Sequence, residues 1–188
     1  MFIIPEYIIQ ITLDRYIPFT PIFVIPYLIW FLYIAFGCLY TGLKSKENFY
    51  KLLIFLCAGM STAYILYMIF PNAQGFRPVV TNNDIFSILV RFIYATDTPT
   101  NVCPSVHVIN GFAVDAALRH TKPFCSKRIF RYLSFTLFIL ICISTVFIKQ
   151  HSVFDVYCGL LVGGLFYIPL YKLEAVVPAW LNKPLQRN

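Results

Sequence analysis

The chain has 188 residues, of which 59% are hydrophobic, 18% aromatic and only 12% charged, and its mean hydropathy is +0.73. Soluble domains are about 45–50% apolar and about a quarter charged, so the composition excludes a disordered chain and a water-soluble globule. Six cysteines are too few for a disulfide-stapled scaffold. What remains is an all-α polytopic membrane protein, in which the formal net charge of +7 reads as topology information.

Residues 2–13 read as an interfacial segment on the outer membrane face, with a buried arm as the open alternative. They lack the basic start and the small-residue cleavage site of a signal peptide. Residues 16–43, 52–76, 132–148 and 156–171 carry no charge. A span needs about 20 mostly apolar residues, so spans are expected near 21–41, 52–70, 131–148 and 155–171. A weaker fifth span is expected near 105–119, where His107 and Asp115 lie. Ionisable groups inside a span are costly and face the protein interior. For Asp115 the plain partner is Arg119, one turn on. Residues 84–95 place Ile85, Phe86, Ile88, Leu89, Phe92 and Ile93 on one stripe after a capping Asn83 or Asp84. That segment reads as a short helix on the outer surface. The whole chain, 1–188, reads as one membrane domain: a bundle of about five spans plus this interfacial helix.

Eleven of the fifteen basic residues fall in one set of connections: Lys44, Lys46, Lys51, Arg119, Lys122, Lys127, Arg128, Arg131, Lys172, Lys183 and Arg187. The positive-inside rule makes that set cytoplasmic. The N-terminus, 71–104 and 149–154 then face outward, with Arg15, Arg77, Arg91 and Lys149. No soluble basic domain exists to bind nucleic acid, and the default location is a prokaryotic plasma membrane. The cysteines show no metal-ligand spacing, so no metal or cofactor is expected. Cys103 and Cys158 both fall near the outer face, which leaves a disulfide between them open.

Three polar clusters fall at the outward side. The first is Pro71-Asn-Ala-Gln-Gly-Phe-Arg77-Pro78, whose guanidinium suits bidentate phosphate binding. The second, Cys103-Pro104-Ser105-Val106-His107, opens a helix whose free N–H groups favour an oxyanion. The third runs from Ser144 and Thr145 through Lys149, Gln150 and His151 to Asp155. His151 and Asp155 are four residues apart, so a helix starting near Ser152 stacks them on one face. A carboxylate there fixes the imidazole tautomer and raises its basicity. Each cluster also has a plain structural reading: Ser152-x-x-Asp155 as a capping box, Pro104-Ser105 as a helix start, Arg77 as a loop cation. Together they make a kit for phosphoryl transfer through a covalent phosphohistidine.

The chain resembles the type 2 phosphatidic acid phosphatase family of membrane enzymes, relatives of the vanadium haloperoxidases. The family motifs are Lys-x6-Arg-Pro, Pro-Ser-x-His and Ser-Arg-x5-His-x3-Asp. Here they stand as Phe70-x6-Arg77-Pro78, Pro104-Ser105-Val106-His107 and Ser144-Thr145-x5-His151-x3-Asp155. The resemblance covers about 50–172. It implies that His151 attacks phosphorus, that Asp155 orients it, and that His107 protonates the leaving alcohol and then activates water. Ser105, adjoining N–H groups and Arg77 would bind phosphate oxygens. Two of the family's phosphate-binding cations are replaced, by Phe70 and Thr145. Lys149, four residues after Thr145, and Gln74, near Arg77, are the expected substitutes. The family usually has six spans, and five are counted here, so an N-terminal span is expected to be missing.

The expected activity is metal-independent hydrolysis of a lipid phosphate, a phosphomonoester or diphosphate, at the outer face. The alternative is a lipid phosphotransferase resembling inositol phosphorylceramide and sphingomyelin synthases. A second alternative is a non-catalytic lipid-binding membrane protein. The expected partners are the lipid phosphate substrate and membrane lipids.

Overall fold

The fold is described from a computed structural model, over residues 5–173. In chain order the elements are β1 (Tyr7–Ile8), α1 (Thr12–Tyr16), α2 (Val24–Lys44), α3 (Lys46–Ile69), β2 (Asn72–Ala73), α4 (Ile85–Thr96), α5 (Val106–His120), α6 (Arg128–Phe147) and α7 (Val153–Tyr167). A π-helical turn, Ile168–Lys172, extends α7.

Helices α2, α3, α6 and the extended α7 are long and apolar enough to cross a membrane. Their outward faces stay apolar, with Leu32, Leu43, Met68, Leu133 and Leu165 exposed, as contact with hydrocarbon requires. This is an integral membrane protein. Helix α3 begins at Lys46, well before the charge-free stretch, because Ser45 caps it by accepting from the Asn48 N–H. Its charged first turn is stabilised by the Glu47–Lys51 ion pair at 2.7 Å.

The expected fifth span is α5, and it differs from the others in kind. It has 15 residues and is buried along almost its whole length, packed against α2, α3, α6 and α7. Small residues allow that approach, as in other membrane bundles. A Cβ on Gly59 would come within 2.5 Å of Ile109, and one on Gly159 within 2.9 Å of the Ser105 carbonyl and of Val108. Ile109, Ala113, Val114, Ala117 and Leu118 of α5 form the centre of the main core with Leu52 and Phe55 of α3.

Helix α4 starts where expected. Asp84 caps it by accepting from the N–H groups of Phe86 and Ser87. The apolar stripe divides, however. Val90 and Ile93 pack with Val24, Tyr27 and Ile148, while Ile85, Ile88 and Phe92 remain exposed.

Over 5–13 the N-terminal segment is an arm laid on the bundle, with no residue of it buried. Strand β1 pairs in parallel with β2, Tyr7 opposite Asn72, and Ile8, Leu13 and Tyr16 are exposed. Asp14 alone turns inward and is 2% exposed. Residues 2–4 lie outside the described residues, as do the basic Lys183 and Arg187. Cys103 and Cys158 are both free thiols, so no disulfide joins them. Burial pushes the Cys103 thiol up from its ordinary pKa.

The connections α2–α3 and α5–α6 meet at one end of the bundle, where Asn48 Nδ2 donates to the His120 carbonyl at 3.0 Å. The other end carries β1, β2, α1, α4 and both remaining connections, and all three polar clusters lie there.

Candidate active site

The third cluster is shaped by the end of α6. The last helical residue is Phe147, and Lys149 adopts a left-handed conformation with φ 55°. The reversed chain donates the N–H groups of Gln150 and His151 to the Thr145 carbonyl, at 2.9 and 3.0 Å. Thr145, at the position of the family's arginine, thus contributes its backbone; its hydroxyl turns back to the Cys142 carbonyl.

Helix α7 then starts with Ser152 as cap. The Asp155 carboxylate accepts from the Ser152 N–H at 2.8 Å, which closes the capping box. The same oxygen, Oδ2, lies 3.3 Å from His151 Nδ1. The capping reading and the His–Asp reading are therefore both correct. The second reuses the carboxylate that the first fixes in place. A carboxylate can only accept, so Nδ1 carries the hydrogen and Nε2 keeps its lone pair.

The second cluster is drawn onto the third through backbone. The Ser105 N–H donates to the Asp155 carbonyl at 3.1 Å, a contact that bare Gly159 permits. Tyr67 holds the preceding residue by donating to the Pro104 carbonyl at 2.6 Å. Ser105 starts α5, but its hydroxyl does not cap it. The His107 ring lies 5.5 Å from that of His151. It rests against Tyr27 at 4.6 Å and Trp30 at 4.4 Å, and Trp30 Nε1 donates to the His107 carbonyl.

The first cluster supplies Arg77. It donates to the Asp97 carbonyl at 2.7 Å and to Gln150 Oε1, and its guanidinium stacks on Tyr94 at 4.6 Å. Burial pulls its pKa below the ordinary arginine value, and the nearby Asp97 opposes that shift. The loop itself is fastened by Asn72, which is fully buried. Its amide donates to the carbonyls of Phe70 and Cys103, and its oxygen accepts from Val102 and Cys103.

Seven buried side-chain polar atoms lack a hydrogen-bond partner among the described residues, and four of them meet here: Arg77 Nε, Ser105 Oγ, His107 Nδ1 and Asp155 Oδ1. A buried polar atom without a partner costs about 1–3 kcal/mol. A cluster of such atoms, three of them able to donate, is arranged for an incoming acceptor-rich ligand.

Two expected phosphate ligands are engaged elsewhere. Lys149 was expected on the same helical face as Thr145, but the helix has ended by then. Its ammonium group donates to the carbonyls of Asp14 and Ile17, at 2.8 and 2.6 Å. Burial lowers its pKa, against the attraction of Asp14. Gln74 donates to the Lys149 carbonyl at 2.8 Å and accepts from the Phe76 N–H, so it joins two loops. Phe70, at the position of the family's lysine, stacks on Tyr7 at 4.0 Å.

Residues that the motifs do not contain complete the site. The Asp14 carboxylate accepts from Ser152 Oγ at 2.6 Å, from the Val153 N–H at 2.9 Å and from the Ile11 N–H at 2.8 Å. With Lys149 it straps the N-terminal arm to the turn that carries His151. No spacing singles it out in a segment that also holds Glu6, Gln10, Thr12 and Arg15. Gln150 bridges Arg77, Tyr27 and Asp97, and no pattern of spacing points to it. Among the described residues, no group of three His, Cys, Asp or Glu side chains is placed to hold a metal ion.

The comparisons agree with the motifs. The family model described as the PAP2 superfamily matches residues 51–176. An uncharacterized protein of Methanocaldococcus jannaschii is 29% identical over 166 residues, which cover 87% of this chain and 64% of that protein. The chain therefore spans a little under two thirds of that relative's length. No solved structure matches the chain.

Proposed function

This chain belongs to the PAP2 superfamily, which supports phosphatase- or phosphotransferase-type chemistry on lipid phosphates, and we propose that it cleaves a lipid phosphate ester through a phosphohistidine at His151. The observation that carries the reading is the meeting of a buried His–Asp pair with unpartnered Arg77 Nε and Ser105 Oγ. Nε2 of His151 attacks phosphorus as the bond to the leaving oxygen breaks. His107 gives that oxygen a proton. Arg77, the Ser105 hydroxyl and the start of α5 stabilise the phosphoryl oxygens. Water, deprotonated by His107, then takes the phosphoryl group from His151 and restores both histidines. The donors needed are protein groups, so the reaction runs without a metal.

The polar site sits at the end of the bundle remote from Lys44, Lys46, Lys122, Lys127 and Arg128, and the positive-inside rule turns it outward. In a prokaryotic plasma membrane the head group of an outer-leaflet lipid would reach it while the alkyl chains stay beside the helices. Phosphatidic acid, phosphatidylglycerol phosphate and polyprenyl diphosphates are the substrate candidates.

A second reading, transfer of the phospho-head group to another lipid's hydroxyl, is favoured by one observation. Phe70 and Thr145 leave the site two cations poorer, which suits a phosphodiester with less charge to neutralise. The experiment is phosphate release from a panel of lipid phosphates by purified, detergent-solubilised protein with chelator present. Release that survives chelator and disappears in His151→Ala is expected. No release, but an acceptor-dependent lipid product, selects the second reading. Neither product from any lipid overturns both.

A further inference from the structure

Beside the histidines a cavity of about 350 Å³ opens between α2 and α4. Its walls include Tyr27, Trp30 and Phe31 of α2, Phe92 of α4, the Asp97 carboxylate and the His107 ring. Phe31 and Phe92 are more than half exposed, so its mouth is lined with aromatic faces. The pocket therefore adjoins the residue that handles the leaving or entering oxygen.

The pocket contributes a negative charge of its own, next to the Arg77 of the phosphate site. Asp97 Oδ2 is held by neutral donors only, Gln150 Nε2 at 3.0 Å and Tyr27 OH at 3.3 Å. Arg77 bonds to the Asp97 carbonyl instead. Among the described residues no cation lies within ion-pair distance of that carboxylate, although Arg77 is near enough to feel its charge. Gln150 adjoins His151 in the chain, so a negative charge is fixed within a few side chains of the reacting phosphate. The site has also lost two of its family's cations, at Phe70 and Thr145. Asp97 offsets part of the attraction that Arg77 offers a phosphate monoester dianion. A substrate that carries its own cation beyond the phosphate would meet attraction.

Aromatic walls and a carboxylate are the chemistry that recognises an ammonium group. We infer that this pocket binds the ammonium end of a zwitterionic phosphodiester lipid, with the aromatic faces around the cation, Asp97 as its counter-ion and the phosphate at His151. The inference rests on the reading of His107 and His151 as the reacting pair, and within it favours the phosphodiester substrate of the second reading over the monoester and diphosphate candidates.

Binding tests it separately from turnover. Dihexanoyl phosphatidylcholine and dihexanoyl phosphatidylglycerol would be titrated into detergent-solubilised His151→Ala protein by calorimetry. Both lipids carry one phosphodiester anion, and only the first carries an ammonium. Tighter binding of the choline lipid by about three- to fivefold is expected, the scale of a cation–π contact at a solvent-accessible site. That preference should disappear in the double variant with Asp97→Asn and fall in one with Trp30→Leu. Asp97 is exposed, so its neutralisation leaves the fold intact, and a thermal melt checks this. Equal affinity for the two lipids, or a preference that survives Asp97→Asn, overturns the inference. Loss of turnover in the wild-type protein with the preference intact would count against the reaction and leave the pocket standing.

Discussion

The chain places an acid and a base one helical turn apart in two buried settings, and the two settings differ in how completely they are satisfied. In α5, Asp115 Oδ1 accepts from Ser134 Oγ at 2.6 Å, and Ser134 pairs with Tyr33 OH at 2.7 Å. Arg119 Nε lies 2.9 Å from Asp115 Oδ2. Both carboxylate oxygens are engaged, and the cluster joins α2, α5 and α6. At the start of α7, Asp155 uses one oxygen for both His151 and the Ser152 N–H, and its other oxygen has no hydrogen-bond partner among the described residues, with the Cys103 thiol close by. The first pair holds helices together through Ser134 and Tyr33, and its one open atom, Arg119 Nε, belongs to a partly exposed side chain. The second is left open, with a free imidazole nitrogen beside unpartnered donors. Spacing in the sequence is the same in both. What separates structure from chemistry is where the open atoms gather: one lies by itself at Arg119, and four meet around His151.

Breaking the open pair should have the largest effect. His151→Ala removes the nucleophile, and lipid phosphate turnover should fall about 10⁴-fold or more, measured as initial rates on detergent-solubilised protein. His107→Ala should cost about 10²–10⁴-fold, as loss of one general acid–base does. In both variants the melting temperature should change little, which shows that the loss is chemical.

Asp14→Ala sharpens the comparison, because Asp14 is a buried acid with three donors and no catalytic contact. Its removal leaves Ser152 Oγ and two N–H groups without their acceptor, at a cost of about 3–5 kcal/mol. A lower melting temperature and a loss of turnover smaller than that of His151→Ala are expected. An unchanged melt would show that the arm does not strap the His151 turn.

Lys149→Ala distinguishes a strap from a phosphate ligand. If its amine serves the carbonyls of Asp14 and Ile17, stability falls while inhibition by inorganic phosphate keeps its affinity. A weakened phosphate affinity at unchanged stability would restore Lys149 as a ligand. The smallest effect on chemistry belongs to the Asp115–Arg119 pair. Asp115→Asn should lower stability by about 1–3 kcal/mol and leave turnover of the folded protein within about twofold, the range of a change remote from reacting atoms.

Much of this organisation was legible from composition and spacing. The four long apolar helices follow from the charge-free stretches, and the Asp84 cap and the His–Asp register follow from local rules. Helix α5 was harder to read. Its modest length and its two ionisable residues make it a poor span on their own, and only its enclosure by α2, α3, α6 and α7 explains both. The long-range part of the site was illegible for a physical reason. Asp14, Asn72 and Gln150 act through hydrogen bonds to residues from 30 to 139 positions away, and no periodicity encodes such partners. Lys149 was misplaced because a helical register was extended beyond Phe147, where the chain turns into a left-handed residue.

The central claim is that His151 becomes covalently bonded to phosphorus. The direct measurement is an alkaline-quenched single turnover of the His107→Ala protein with a lipid phosphate, followed by mass spectrometry of the peptide that contains His151. With a lipid nitrophenyl phosphate, whose leaving group needs no proton from His107, formation stays fast and breakdown slow, and the account predicts a phosphorus-bearing group on His151 that is absent after His151→Asn. Turnover of the wild-type protein with no adduct on His151, or with phosphorus on another residue, would contradict it.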